Sequence, residues 1–373
     1  MDDRESAKAD DRYSVEAVVT EEGLDRLEDD WNRLSTSSDS PNVFTTYAWY
    51  RAWLRRLIAD EGRERLQPYV LVIKREGAIV GISPLVRRVI SRFGFRVRKL
   101  EFLTHHADYN DLIVGENVRA LTREAMEFLA RSAHDWDFVD LRELRDDSNR
   151  LAITESATAG AGLLHRLSSE PDGCPYMPID APWSEFRKKK HLRFARYASL
   201  GIEKRTDDGF RVRVIDQPHR EKDLLERMIE VDAQKNIDGS FSGSFIGTFR
   251  EVFRSLIDDL GPRGLFAVVV AKKGDRLVSW LLLFRNGTKL WDYQTAYDHA
   301  FGKFSPGTIL ISTAIDYGFE HGCDEFDFLR GMDWYKTRWT SQFHLNQRMI
   351  FWNWRWISRL GAFAYFKLHL GRR

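Results

Sequence analysis

Apolar and polar residues alternate across residues 13–20 (YSVEAVVT), the period-two pattern of a strand with one buried face. The period lengthens in 22–38 (EGLDRLEDDWNRLSTSS), which predicts an amphipathic helix, and again in 42–57, where a helix with a wide aromatic face opens at Thr45 or Thr46. Residues 68–90 predict two strands joined at Glu76-Gly77, and shorter strands follow at 97–104 and 110–115. A helix over 118–133 then leads into the buried-strand pattern WDFVDLREL at 136–144.

From Trp183 the order begins again. A basic helix (183–201), a strand (210–216) and helices over 220–236 and 247–261 precede a hairpin over 265–287 that turns at Lys273-Gly274-Asp275. Strands at 289–298, 323–331 and around 347–354 complete it, with a long helix at 304–322. Each half thus reads as strand, two helices, three or four antiparallel strands, helix, strand. It is a repeat of elements, not of residues. Pro171, Pro175, Pro178 and Pro182 crowd the stretch between the halves and mark it as a linker. The expected division is a disordered tail (1–12), a first domain (13–170), a linker (171–182) and a second domain (183–373). The expected fold class is α/β of the mixed α+β kind, each domain a mostly antiparallel sheet flanked by helices.

Composition narrows the function without naming it. The 373 residues are 43% hydrophobic and 30% charged, with a net charge of +1, so no global excess of positive charge points to DNA or another polyanion. Cys174 and Cys323 stand far apart, without a metal-ligand partner at a recognisable spacing, which fits a reducing, cytoplasmic setting. The first twelve residues lack the apolar core of a signal peptide, and no stretch reaches the roughly 18 apolar residues of a membrane span. The C-terminal segment after Met349 mixes tryptophans with Arg355, Arg359 and Lys367; it fits a closing strand and helix, or peripheral contact with an inner membrane.

The helix at 304–322 opens on Ser305-Pro306-Gly307. Serine is a good N-cap, proline suits the first helical position, and glycine is tolerated there. The same opening leaves backbone N–H groups that a phosphate can approach closely over glycine. Both readings stand on the local sequence.

The order of elements in the second half resembles the GNAT acyltransferase domain. The run YQTAYDHAFGKFSPGTILISTAIDYGFEHGCDEFDFLRGMDWYKTRW (293–339) resembles the CelD-like acetyltransferases of bacterial exopolysaccharide gene sets, as do FTTYAWYRAW, LEFLTHHADYNDLIV and KKKHLRFARYASL. The chain is similar, more remotely, to the Fem peptidoglycan aminoacyltransferases, which pair two such domains and carry a lysine after the penultimate strand. One departure is that FGKFSPGT (301–308) lacks the usual glycine-rich phosphate loop.

The resemblance implies an acyl-donor site in the second domain and an acceptor cleft between the two. Gly307 and Thr308, with Ser305 and Lys303 beside them, would hold the pyrophosphate of acetyl-CoA or another acyl-CoA. Amine attack on a thioester needs a base, an oxyanion partner and an acid. Tyr297 is a candidate acid or oxyanion donor, although Trp291, Tyr293, Thr295 and Tyr297 alternate as one packed face. Asp298 and His299 are candidate bases at the strand end. Asp327 lies inside a buried-strand pattern, where it is a base, a partner for Lys336 or a structural hydrogen-bonding group. Lys336 would neutralise an oxyanion or hold an anionic acceptor, with Asp333 and Arg338 beside it. Asp108, Tyr109 and Asp111 would line the acceptor cleft. They follow His105 and His106, but a metal is not expected. The basic run Arg187 to Arg205 reads as a solvated helix face or a surface for RNA or an acidic glycan.

The activity these features imply is N-acyl transfer from acyl-CoA to an amine, such as an amino sugar of a polysaccharide or envelope precursor. The alternatives are a Fem-like transfer from aminoacyl-tRNA, the one case that brings in tRNA, and a non-catalytic binding or scaffold protein.

Overall fold

The computed structural model describes residues 13–38, 41–92, 95–103, 106–146, 149–168, 171–195, 210–234 and 244–353. The expected tail, the basic run beyond Ala195 and the C-terminal segment beyond Asn353 lie outside the described residues.

Among the described residues, fourteen strands join in one sheet. They are β1 (Tyr13–Val18), β2 (Leu66–Arg75), β3 (Ala78–Arg92), β4 (Phe95–Phe102), β5 (Ile113–Val114), β6 (Phe138–Arg145) and β7 (Leu164–Leu167), followed by β8 (Asp172–Pro178). The rest are β9 (Phe210–Ile215), β10 (Phe266–Lys273), β11 (Arg276–Asn286), β12 (Lys289–Tyr297), β13 (Glu325–Asp327) and β14 (Phe343–Trp352). The order is β1-β2-β3-β4-β6-β14-β8-β13-β12-β11-β10-β9, with β5 on β3 and β7 on β14. Only β4 with β6 and β12 with β13 run parallel among the described pairs. The β2–β3 turn has positive φ at both Glu76 and Gly77, the conformation that matches the right-handed twist of a two-residue hairpin.

The expected linker is a strand in the middle of this sheet. Its first part, Asp172–Pro175, pairs with β14, and Tyr176–Pro178 pairs with β13. Neither neighbour uses its full length, which lets an interior strand carry prolines. Cys174 and Met177 are buried in it. The chain's last described strand, β14, pairs with β6 and β7 of the first half, so the two halves exchange strands around β8.

One apolar core also crosses between them. The Tyr47–Glu61 helix, N-capped by the Thr46 hydroxyl as the sequence predicts, packs on the Arg250–Leu260 helix. Trp49 meets Phe284 and Tyr293 edge-on, with ring centroids 5.5 Å apart in both cases. The other face of the second half is covered by the Pro306–Glu320 helix through Leu310, Ala314 and Ile315. Because Trp49 is fully buried between the halves, Trp49→Ala is expected to cost about 3–5 kcal/mol of stability. Denaturant unfolding checks it, and a single transition at lower denaturant is the expected form.

Candidate functional site

The site begins where two strands part. β12 and β13 pair through Lys289↔Glu325, Leu290↔Phe326 and Trp291↔Asp327, and no further. Beyond that point β12 runs on to Tyr297 while the other chain turns away through Phe328–Arg330. A β-bulge sits at the divergence: Leu283 faces Asp292 and Leu282 faces Gln294, leaving Tyr293 extra. Bulges re-aim side chains. Here the alternation changes phase, so that Trp291 and Ala296 enter the same core cluster. The expectation that Trp291, Tyr293, Thr295 and Tyr297 share one face holds for Trp291 and Tyr293, which pack on that core, and fails beyond the bulge, where Ala296 takes the place of Thr295 and Tyr297.

The parting opens a cleft of about 330 Å³. β12 contributes Asp292 to Thr295, the first half contributes His106 and Asp108, and the segment after β13 contributes Leu329, Arg330, Asp333, Tyr335 and Lys336. Lys336 is buried at 6% exposure. Its ammonium donates to the Arg330 carbonyl at 2.7 Å and the Leu329 carbonyl at 3.3 Å. Lys336 thus lies in the same cleft as Asp108, residues 228 apart in sequence brought together by the shared sheet.

Asp108 belongs to a buried charge cluster. Arg330 pairs with Glu143 and lies 3.6 Å from Asp108, and Asn346 donates to Glu143 at 3.1 Å. Burial pushes the Glu143 carboxyl up to about 7 against the pull of Arg330. Burial also raises Asp108, opposed by Arg330 and Lys336. Behind this cluster Tyr109 donates from its hydroxyl to Asp327 Oδ2 at 2.6 Å, and the Leu329 amide donates to Oδ1 at 2.6 Å. Burial pushes Asp327 up to about 7, with those two hydrogen bonds opposing. Asp327 is therefore held by Tyr109, not by Lys336; the carboxylates that feel Lys336 are Asp108 and Asp292.

Backbone strain concentrates in the same place. Tyr109, Glu143 and Leu329 have φ of 58°, 60° and 59°, in the left-handed region that non-glycine residues rarely enter. Strain of this kind persists where surrounding contacts over-determine it and gathers at active sites and ligand clamps.

Six other sequence candidates, Tyr297, Asp298, Lys303, Ser305, Gly307 and Thr308, lie along the exit from β12. Asp298 caps the short helix His299–Phe304 through the Ala300 amide at 2.9 Å and pairs with Arg276 at 2.5 Å. Its carboxylate has a structural duty, and neither it nor Tyr297 lines the cleft. Ser305 occupies the N-cap position of the Pro306–Glu320 helix at φ 53°, but its side chain makes no capping bond. The expected serine cap is absent because the left-handed backbone turns the side chain from the first-turn amides. Gly307 has open space where a Cβ would stand, Thr308 is partly exposed beside it, and Lys303 is exposed with its ammonium 5.2 Å from the Phe304 ring. Asp111 stands apart from Asp108: it pairs with Arg150 at 3.3 Å and lines a small apolar pocket of the first half.

Glu325, Asp327 and His344 place ligand-type atoms within 4.8 Å of one another. Each already has a protein partner: Lys289 on Glu325 at 2.8 Å, Tyr109 on Asp327, and Arg145 2.7 Å from His344 Nε2. A guanidinium at that distance opposes a second cation. Sequence reasoning missed Asp292, Glu143 and Arg330. Asp292 carried one signal, a lone carboxylate in the apolar strand KLWDYQTAY.

An open, splayed sheet with a helix rising from the end of the splayed strand is the GNAT fold, and residues 190–337 match the sequence model of the acetyltransferase (GNAT) domain. Solved structures agree on the architecture. FemX aligns with a TM-score of 0.62 at 13% identity, over 89% of this chain and 98% of its own. The C-terminal domain of a lysylphosphatidylglycerol synthetase from Agrobacterium fabrum, itself described as putative, aligns with a TM-score of 0.56 at 11% identity, over 92% and 97%. L-PGS from Bacillus licheniformis aligns at 0.53 and 11%, over 82% and 95%. No curated protein matches the sequence. None of the described helices is long and apolar enough to cross a membrane.

Proposed function

We propose that this chain is an acyltransferase that moves an acyl group from acetyl-CoA or another acyl-CoA to an amine, with an amino sugar of a polysaccharide or envelope precursor as the acceptor class. The observation that carries the reading is the parting of β12 and β13 into a cleft that holds Lys336, with an open helix N-terminus at the end of the same strand. A pyrophosphate at Gly307 and Thr308 would meet unpaired amides and the positive end of the helix dipole. The thioester would lie in the parting, and the acceptor would enter from the Asp108 side. The match of residues 190–337 to an acetyltransferase domain supports the same reading.

A second reading, transfer from aminoacyl-tRNA, is favoured by one observation. The connection from β12 to the helix is not a glycine-rich loop but a six-residue 3-10 helix, His299–Phe304, which leaves fewer amides for a pyrophosphate.

Calorimetric titration with acetyl-CoA separates the two. Micromolar binding is expected, weakened at least about tenfold, or ~1.4 kcal/mol, in Gly307→Trp. A Cβ at Gly307 would meet open space, and a thermal melt of the variant checks that the indole leaves the fold intact. No binding of acetyl-CoA or longer acyl-CoAs would sink the acyl-CoA reading and turn attention to aminoacyl-tRNA.

A further inference from the structure

Asp292 is the most unusual group in the cleft. Its side chain is 5% exposed, and among the described residues Oδ2 has no hydrogen-bond partner. A buried carboxylate oxygen without a donor costs free energy, and native structures rarely keep one without a use. The bulge explains how it arises. The extra residue at Tyr293 breaks the ladder next to Asp292, and β13 stops pairing one residue earlier, at Trp291. The carboxylate is left facing the space between the strands.

The charged and titratable groups around it come from three elements. From the short helix Trp334–Thr337 come Lys336 and Tyr335, and Asp333 precedes them; Arg330 lies on the segment after β13; Asp108 and His106 belong to the first half. The positive members are otherwise committed. Lys336 donates to two backbone carbonyls, and Arg330 pairs with Glu143 and Asp108. The cleft therefore offers a carboxylate oxygen that lacks a donor, near an ammonium that spends two of its three hydrogens on backbone carbonyls and a guanidinium paired with other carboxylates.

We infer that Asp292 is the acceptor subsite for a primary ammonium group, receiving the amine in its charged form and taking the proton that frees it to attack. The inference rests on the acyl-transfer reading and deepens it by naming the side chain that receives its amine and prefers it to an alcohol. A hydroxyl offers Oδ2 one neutral hydrogen bond, whereas an ammonium offers a charge-assisted one, which is shorter and roughly twice as strong. The step balances as follows. One proton passes from the ammonium to Oδ2, and the freed lone pair forms the C–N bond at the carbonyl of the acyl thioester. The C–S bond then breaks, the amide nitrogen's second proton goes to the thiolate, and Asp292 returns its proton to solvent. Burial, opposed by Lys336, pushes the Asp292 carboxyl up to about 7, suited to taking and releasing a proton near neutrality.

The test follows the Asp292 carboxyl carbon by NMR in the full chain labelled with [γ-13C]aspartate. The resonance is assigned as the one missing from Asp292→Asn and, independently of whether that variant folds, from Asp292→Glu. A titration midpoint near 7 is expected. Saturating glucosamine or methylammonium should lower it by about one unit, because an adjacent cation favours the charged form; glucose and methanol should leave it in place. A midpoint near 4, or one that neither amine moves, overturns the inference. Adding acetyl-CoA to the same sample reads donor binding through other resonances. A failed donor site and a failed ammonium site are thereby told apart.

Discussion

Lys336→Met should lower kcat for acyl transfer by about 10²- to 10³-fold, the usual consequence of removing one preorganised donor to an oxyanion. The geometry explains why so much rests on one side chain. The ammonium is buried, two of its hydrogens are directed to the Leu329 and Arg330 carbonyls, and the third is left for the cleft. A cation fixed in this way costs little reorganisation when negative charge develops on the thioester oxygen. Methionine keeps an apolar stem of similar length while removing the charge and the ammonium's donors, which is why each variant's thermal melt is needed beside its kinetics. Lys336→Arg should rescue little, because a planar guanidinium cannot take the tetrahedral position between the two carbonyls. Steady-state kinetics with a thermal melt on each variant decide the matter. Near-normal kcat in a folded Lys336→Met protein would remove Lys336 from the chemistry and favour a binding or scaffold role.

Arg330→Met should be the most destabilising single charge change in the cleft, at about 3 kcal/mol near pH 8. The lower end of the usual range applies because Arg330 is partly exposed, while Asp108 and Glu143 beneath it are buried. The sign of the pH dependence follows from their shifts. Burial raises both carboxyls in the folded protein, Glu143 to about 7, so the folded state binds more protons than the unfolded one between about pH 4 and 7. Stability from these groups is present below their unfolded values and falls as pH rises through the folded ones. Removing Arg330 raises the folded values further. The deficit of the variant should therefore be small near pH 4 and grow to its full size by pH 8. Urea melts across that range test it; a deficit independent of pH would mean that Arg330 acts by packing alone.

Most of the elements were legible because they obey local rules. The Tyr47–Glu61 helix has its threonine cap and aromatic stripe, the β2–β3 hairpin has Glu76-Gly77, and the β10–β11 hairpin has Gly274 at φ 58°. β8 was not legible, since Pro175 and Pro178 are linker signals locally and only its half-length pairing on each side admits them to a sheet. Ser305 shows the same limit in one residue. Its type suits a cap, but the turn leading out of the His299–Phe304 helix places it at positive φ with no side-chain bond to the first turn.

The candidate site divides along the same line. That Lys336 and Asp108 are chemically interesting could be argued from residue type, pattern and resemblance. That they share a cleft, that Asp327 answers to Tyr109 instead of Lys336, and that Asp111 turns away to Arg150 depend on contacts between residues up to 228 positions apart. Asp292, Glu143 and Arg330 were invisible for a related reason. A carboxylate becomes unusual only when burial and the absence of a donor are known, and both are properties of what the rest of the chain places around it. Sequence alone determined the periodicities and hence the two rounds of strands and helices. Only the tertiary structure decided that the rounds merge into one sheet through β8 and β14, and that a single bulged strand parts from its neighbour at Trp291, because pairing and desolvation are set by distant partners.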